Sequence, residues 1–321
     1  MSFKDIYYQV YENSAGSSGL SPTKTKNLVL LHGFMGSTLD WNFLVNFLLT
    51  QSTEPLKIIS ILLPGHTQEV SNSLENNLSK NAFSKIQNPV NSSNNTLQKL
   101  AKQILEIQKK EEALDCCYLG YSMGGRVAIE LASLNHHTET LILESSFTHW
   151  KNKEDQQIKK TEDLNLLKSL LENNANNSSS KNNKSNASEK NKNNNSEDFF
   201  CKNFKSFLLQ WYDLELFKGL PQNKNFPLLL KTRLQQNVKH LHEALQVYSS
   251  GTVDSYLNIL KNLNCPIFYI YGEHDTKYKA IGLNLKKIIS FVNLQEVKNA
   301  SHNTHFQQTL NFGQTILKIL S

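Results

Sequence analysis

The chain has 321 residues and a net charge of +6, with 39% hydrophobic and 19% charged residues. That length buries a large core, either in one α/β domain with an insertion or in two domains. The basic excess is mild, and its lysines are scattered or sit in a low-complexity tract, which argues against nucleic-acid binding.

No apolar run reaches membrane-spanning length, and residues 1–20 hold no apolar stretch of signal-peptide length. The expectation is a soluble, cytoplasmic protein with no membrane span. Four cysteines, Cys116, Cys117, Cys201 and Cys265, have no metal-ligand spacing. Adjacent Cys116 and Cys117 point to opposite faces of a strand, so buried free thiols are expected.

In chain order, Ile6–Tyr11 alternates and reads as an edge strand, and Asn13–Thr25 as a turn-rich connection. Asn27–Leu31 is a continuous apolar run, which fits a strand covered on both faces of a parallel sheet. His32-Gly33-Phe34-Met35-Gly36-Ser37 follows, and Asp40-Trp41 opens a helix. Lys57–Leu62 is the next strand, closed by Pro64-Gly65-His66, and the Asn/Ser-rich residues 71–95 read as a surface loop. Leu97–Ile107 has helical apolar spacing. Cys116–Tyr121 is a strand, Ser122 a turn, and Val127–Ala132 a helix, with Thr140–Leu143 the strand after it. Alternating strand and helix is the mark of a doubly wound sheet.

After Trp150 the pattern becomes helical: Ile158–Leu171, Phe199–Leu216, Leu228–Val238 and Leu241–Ser249. A helical block inserted after a core strand suggests a lid that excludes water from a site. Within it, 20 of the 23 residues from 173 to 195 are Asn, Ser or Lys, a composition expected to be disordered. The core resumes with the strand Pro266–Tyr271, the helix Ala280–Ile289, the strand Leu294–Val297 and the helix Phe306–Leu320. The expected organisation is core over 1–150, lid over 151–250, and core again over 251–321.

Gly120-Tyr121-Ser122-Met123-Gly124 is a Gly-x-Ser-x-Gly turn between a strand and a helix. That context lifts a serine hydroxyl above the sheet and aims the Met123 amide at charge growing beside it. A serine needs a histidine to take its proton, and the histidine needs an acid. Ser122, Asp275 and His302 come in the order serine, acid, histidine, each just after a strand. Glu144 is an alternative acid and His305 the main rival histidine. His302 and His305 would also suit a metal pair, but no third ligand is evident. The Phe34 amide would complete an oxyanion hole. Arg126 opens the helix after Ser122 and reads either as a carboxylate clamp or as a surface ion pair.

Taken together, these stretches resemble the 2-succinyl-6-hydroxy-2,4-cyclohexadiene-1-carboxylate synthase branch of the α/β-hydrolase superfamily. The resemblance rests on Leu31–Ser37 with Asp40-Trp41, on Gly120–Arg126, and on Leu141–Ser145. It continues through Gly272–Tyr278 and Asn299–His305, with Trp211, Leu216-Phe217, Arg233 and Ser249–Thr252 in the insertion. It implies an α/β-hydrolase fold: a mostly parallel sheet, helices on both faces and an inserted helical lid.

It also implies a triad of Ser122, Asp275 and His302 acting as a base, and oxyanion amides from Phe34 and Met123. Substrate contacts would come from Tyr121, Arg126, Trp211 and Arg233, with His32 grouped beside them. The implied substrate is small and rich in carboxylates, and no cofactor or metal is implied. Departures from the family pattern are Ser146-Phe147-Thr148 where the family turns through Ser-Pro-Gly, and Thr67 where it has Gly. Lys159 or Lys160 stands where the family carries a lid arginine. The same scaffold also hosts esterases, thioesterases and carbon–carbon bond hydrolases, and non-catalytic binding modules with a broken triad.

Overall fold

Eight strands make one sheet in the computed structural model of the chain, which describes residues 5–13, 24–67, 84–87, 96–175 and 204–321. In chain order the strands are β1 (Asp5–Asn13), β2 (Lys26–Leu31), β3 (Leu56–Leu62), β4 (Ser84–Gln87), β5 (Cys116–Tyr121), β6 (Thr138–Glu144), β7 (Ile267–Gly272) and β8 (Asn293–Val297). Their order across the sheet is β4-β1-β3-β2-β5-β6-β7-β8. β1 pairs antiparallel with both β3 and β4, and the run from β3 through β2 to β8 is parallel. The expectation that β1 is an edge strand is corrected: Ser84–Gln87, inside the stretch read as a loop, covers its outer side. A four-residue strand among Asn and Ser carries no apolar alternation to announce it.

The inner parallel strands are largely apolar because both faces are covered, whereas β8 at the edge is polar and partly exposed. In β2, Val29 and Leu31 pack into one core cluster while Leu28 and Leu30 pack into the other. Helices α2 (Thr96–Lys110), α3 (Met123–Leu134), α8 (Leu257–Lys261) and α9 (Thr276–Ile288) supply the first face. Helices α1 (Asn42–Gln51) and α11 (Thr309–Leu320) supply the second. Cys116 and Cys117 fall into opposite clusters, and these two thiols and Cys265 are free and buried. Cys201 lies outside the described residues.

The chain leaves β2 toward β3 on one side and returns to β5 on the other. Strand order therefore reverses between β2 and β5, and the carboxyl ends of that pair open the crevice where open α/β sheets bind ligands. Between β6 and β7 come α4 (Lys153–Ala175), α5 (helical over 204–212), α6 (Phe226–Leu234) and α7 (Val238–Tyr248). Phe204, Leu208, Tyr212, Phe226, Leu229 and Leu241 from these helices bury one another around Met35 of the β2 loop. α6 therefore ends at Leu234, and a break separates it from α7, where the spacing had suggested one helix to Val238. Of the Asn-rich tract, residues 173–175 end α4 and the rest lies outside the described residues.

Two polar staples tie the insertion to the core. Arg233 makes a two-pronged bridge to Asp40, both bonds 2.7 Å. Gln236 bonds both the amide and the carbonyl of Thr67 at 2.8 Å. The short helix α10 (Thr304–Gln307) runs into α11 at the end of the chain.

Candidate active site

β5 ends at Tyr121 and α3 begins at Met123, so Ser122 takes the whole turn. Its φ of 50° and ψ of −106° are strained for a residue with a side chain. Neighbours hold it there: the Ser122 amide donates to the Glu144 carbonyl at 2.8 Å, and Ser146 Oγ donates to the Ser122 carbonyl at 3.0 Å. Strand and helix pass very close. A Cβ on Gly120 would sit 2.5 Å from Gly125 Cα, and one on Gly124 would sit 2.2 Å from the Leu31 carbonyl oxygen. Only glycine fits both places.

Asp275 sits in the turn after β7 and caps α9, and His302 follows β8. His302 Nε2 lies 3.0 Å from Ser122 Oγ, and its Nδ1 lies 2.9 Å from Asp275 Oδ2. The other Asp275 oxygen accepts the Tyr278 amide at 3.0 Å. With the proton on Nδ1 held by the carboxylate, the Nε2 lone pair faces the serine. Three residues drawn from 180 positions of sequence thus form one continuous hydrogen-bonded chain.

The rival acid and the rival histidine pair with each other. His305 Nδ1 lies 2.8 Å from Glu144 Oε2, and Glu144 Oε1 accepts from Thr304 Oγ1 at 2.6 Å and from the His305 amide at 3.0 Å. This buried pair clamps the loop that carries His302 to the end of β6. The His305 ring also packs on Trp41, centroids 4.5 Å apart, and on Tyr121 at 4.8 Å. Among the described residues no cluster of His, Cys, Asp or Glu is arranged to hold a metal ion.

A cavity of about 120 Å³ lies against Ser122 and continues into a wider cleft of about 940 Å³. Phe34, Tyr121, Met123, Arg126, Trp211, Arg233 and His302 all line the inner cavity. Lys159, Asp163, Trp211, Leu216 and Lys277 line both spaces. Phe34 and Trp211 meet edge to face in the cavity wall, ring centroids 6.3 Å apart.

Arg126 is buried, not a surface ion pair. One terminal nitrogen donates to the Tyr248 carbonyl, its Nε has no partner, and no carboxylate pairs with it among the described residues. Burial lowers its pKa, with Tyr256, Tyr278 and Asp163 acting in the opposite sense. Arg233 has most of its donors spent: besides Asp40, its Nε donates to the Tyr212 hydroxyl at 3.0 Å. Burial opposes its charge, but Asp40 and Tyr212 outweigh that and hold its pKa above the usual value.

His32 differs from the expected substrate contact. It is fully buried and absent from the cavity wall. Its Nε2 accepts the Leu63 amide at 2.9 Å and its Nδ1 reaches the Gly33 carbonyl at 2.8 Å. Burial pushes its pKa down to about 3, so it is neutral and pins the Phe34 loop to β3.

Of the two α4 lysines, Lys159 reaches the cavity, while the Lys160 backbone packs against Gly251. Lys159 pairs with Asp163 one turn along α4, and Asp163 also accepts from Ser249 Oγ at 2.5 Å. Asp163 and Tyr278 were not singled out from the sequence as site residues. The Lys159–Asp163 spacing of four on a helix is a signal that could have found the former.

Such a site can move protons: a hydroxyl backed by an imidazole and a carboxyl group, beside a buried cation that suits an anion.

No family model matches the chain. A 2-succinyl-6-hydroxy-2,4-cyclohexadiene-1-carboxylate synthase of Yersinia pestis is 24% identical over 297 residues, which are 92% of this chain and 87% of that one. The Arabidopsis thaliana chloroplastic protein PHYLLO is 22% identical over 324 residues, 98% of this chain but 16% of that longer protein. Among solved structures, MenH from S. aureus superimposes with a TM-score of 0.69 at 22% identity, covering 98% of this chain and 97% of the other. The enol-lactonase of Burkholderia xenovorans LB400 gives 0.64 at 13% identity, over 98% and 96%. No described helix is long and apolar enough to cross a membrane. The chain is an α/β-hydrolase-fold enzyme, similar along nearly its whole length to 2-succinyl-6-hydroxy-2,4-cyclohexadiene-1-carboxylate synthases.

Proposed function

We propose that the protein is a lyase that eliminates pyruvate from 2-succinyl-5-enolpyruvyl-6-hydroxy-3-cyclohexene-1-carboxylate, in a menaquinone- or phylloquinone-forming pathway. The observation that carries this reading is the unpaired Arg126 guanidinium in the wall of the same cavity as Ser122. A hydrolase of neutral esters has no use for a buried cation, whereas this substrate brings three carboxylates.

In the proposed reaction Ser122 Oγ passes its proton to His302 Nε2 and takes the ring proton at C2, beside the succinyl ketone. A double bond forms between C2 and C3, the existing one shifts to C4 and C5, and the C5–oxygen bond breaks. His302 returns its proton to the departing enolpyruvate, which becomes pyruvate. Asp275 accepts from His302 Nδ1 and holds the imidazolium in place. The Phe34 and Met123 amides stabilise the enolate oxygen of the ketone, as oxyanion holes do. No acyl-enzyme forms. Arg126 and Lys159 hold carboxylates, and Tyr121 and Trp211 flank the ring. The inserted helices act as a lid that keeps water out.

The strained Ser122 at the start of α3 would equally suit a nucleophile, so hydrolysis is the second reading. Turnover in ¹⁸O-labelled water separates the two. Elimination leaves the carboxylates of both products without the label and yields one pyruvate per turnover. Label in a product carboxylate, or turnover of p-nitrophenyl esters with no pyruvate from the ring substrate, would replace elimination with hydrolysis.

A further inference from the structure

The residue after His302 carries a buried amide that the fold does not use. Asn303 is 2% exposed and lines the inner cavity with Ser122, Arg126 and His302. Its Oδ1 is enclosed and has no hydrogen-bond partner among the described residues. An asparagine just before a helix ordinarily accepts an amide of the first turn. Asn303 stands in that place before α10 and makes no such bond. Glu144 has taken it over: its Oε1 accepts the His305 amide at 3.0 Å and the Thr304 hydroxyl at 2.6 Å.

The backbone does not ask for asparagine either. A φ of −101° suits any residue with a side chain, and the Asn303 carbonyl accepts the Gln307 amide at 3.0 Å as any carbonyl there would. A buried polar group without a partner costs free energy, and no bond among the described residues offsets that cost. The same lack of a bond leaves the carboxamide free to turn about its last torsion.

Oδ1 can only accept, so it needs a donor. The proposed substrate brings three carboxylates, a ketone and an enol ether oxygen, all of them acceptors. Its sole donor is the ring hydroxyl at C6. Arg126 only donates, so it suits the carboxylates and not this need.

We propose that Asn303 is a substrate-binding residue whose carboxamide accepts a hydrogen bond from the C6 hydroxyl of the ring. It reads a neutral group where Arg126 reads charge, and the site thereby selects a hydroxylated ring. No bond to Asn303 forms or breaks, and the proton taken by Ser122 does not pass through it. The inference rests on the elimination reading, to whose substrate the hydroxyl belongs.

The test crosses two proteins, wild type and Asn303→Leu, with two compounds, the cyclohexene substrate and its 6-deoxy analogue. Pyruvate release gives kcat/KM for each pair. Any effect of the hydroxyl on the chemistry itself is common to both proteins and cancels in the comparison. Wild type should prefer the hydroxylated ring by about tenfold, and Asn303→Leu should treat the two within about twofold. The variant should keep p-nitrophenyl acetate turnover within about threefold and unfold at no lower temperature, since it loses no bond within the protein. The same preference in both proteins overturns the proposal and leaves the synthase reading standing. So does an equal loss on the ring substrate and the ester, or a lower unfolding temperature, either of which would tie Asn303 to the His302 loop. Wild type that releases no pyruvate from either compound overturns the synthase reading and this assignment with it.

Discussion

Replacing Arg126 by Met keeps most of the side-chain volume and removes the charge. Arg126 is 7% exposed, and its guanidinium donates to the Tyr248 carbonyl. With no carboxylate paired to it, the folded protein gains little from the charge and spends desolvation energy to bury it. Loss of the cation should therefore leave stability within about 1 kcal/mol of wild type, the lost hydrogen bond and the relieved burial roughly offsetting. Binding is a different matter. Removing one partner of a buried charge pair costs about 2–5 kcal/mol, or roughly thirty- to several-thousand-fold in kcat/KM. The assay is steady-state kinetics on the ring substrate and on p-nitrophenyl acetate, with thermal unfolding as control. The ring substrate should lose at least about thirtyfold and the neutral ester no more than about threefold. Equal losses on both substrates, or a large drop in unfolding temperature, would show that Arg126 serves the fold and not an anion.

Glu144→Gln should loosen the His302 loop: a buried pair broken on one side costs about 3–5 kcal/mol, read by urea unfolding, and kcat should fall with it. A stable variant with normal kcat would remove the clamp. Asp163→Asn frees Lys159 and deletes the one carboxylate that lines the cavity with Arg126 among the described residues, so KM for the carboxylate substrate should fall several-fold while the neutral ester is unaffected. A rise in KM would give Asp163 a positive role in binding. Acid should weaken the fold through His32. Its folded pKa of about 3 lies below the unfolded 6.5, so the unfolded chain binds the extra proton between those values. Stability is then intact above pH 6.5 and declines by about 1.4 kcal/mol per pH unit as pH falls through the window. His32→Gln should flatten that decline in urea titrations, and parallel curves for the two proteins would refute it.

The sheet was legible where physics leaves strong marks. Strands covered on both faces, such as β2 and β5, must be continuously apolar, and a serine turn needs glycines on either side where strand meets helix. The order serine, acid, histidine pointed to Asp275 and His302, and the fold brings both side chains into one hydrogen-bonded chain with Ser122. It could not say what Glu144 and His305 do, because only the folded chain brings residues 144 and 305 together. His32 was misplaced for a related reason: it stands next to the oxyanion turn in sequence, but its ring points into the protein toward Leu63. Arg126 was undecided between surface and site, since helical position alone does not reveal that α7 covers it. β4 was missed because four residues among Asn and Ser carry no periodicity.

The most direct measurement is pyruvate release from the purified protein and the enolpyruvyl ring substrate, followed by oxidation of NADH in a coupled lactate dehydrogenase assay. Wild type should release one pyruvate for each ring product formed, and Ser122→Ala and His302→Ala should release none above the spontaneous rate. Absence of pyruvate with wild type, or undiminished release from Ser122→Ala, would contradict the account at its centre.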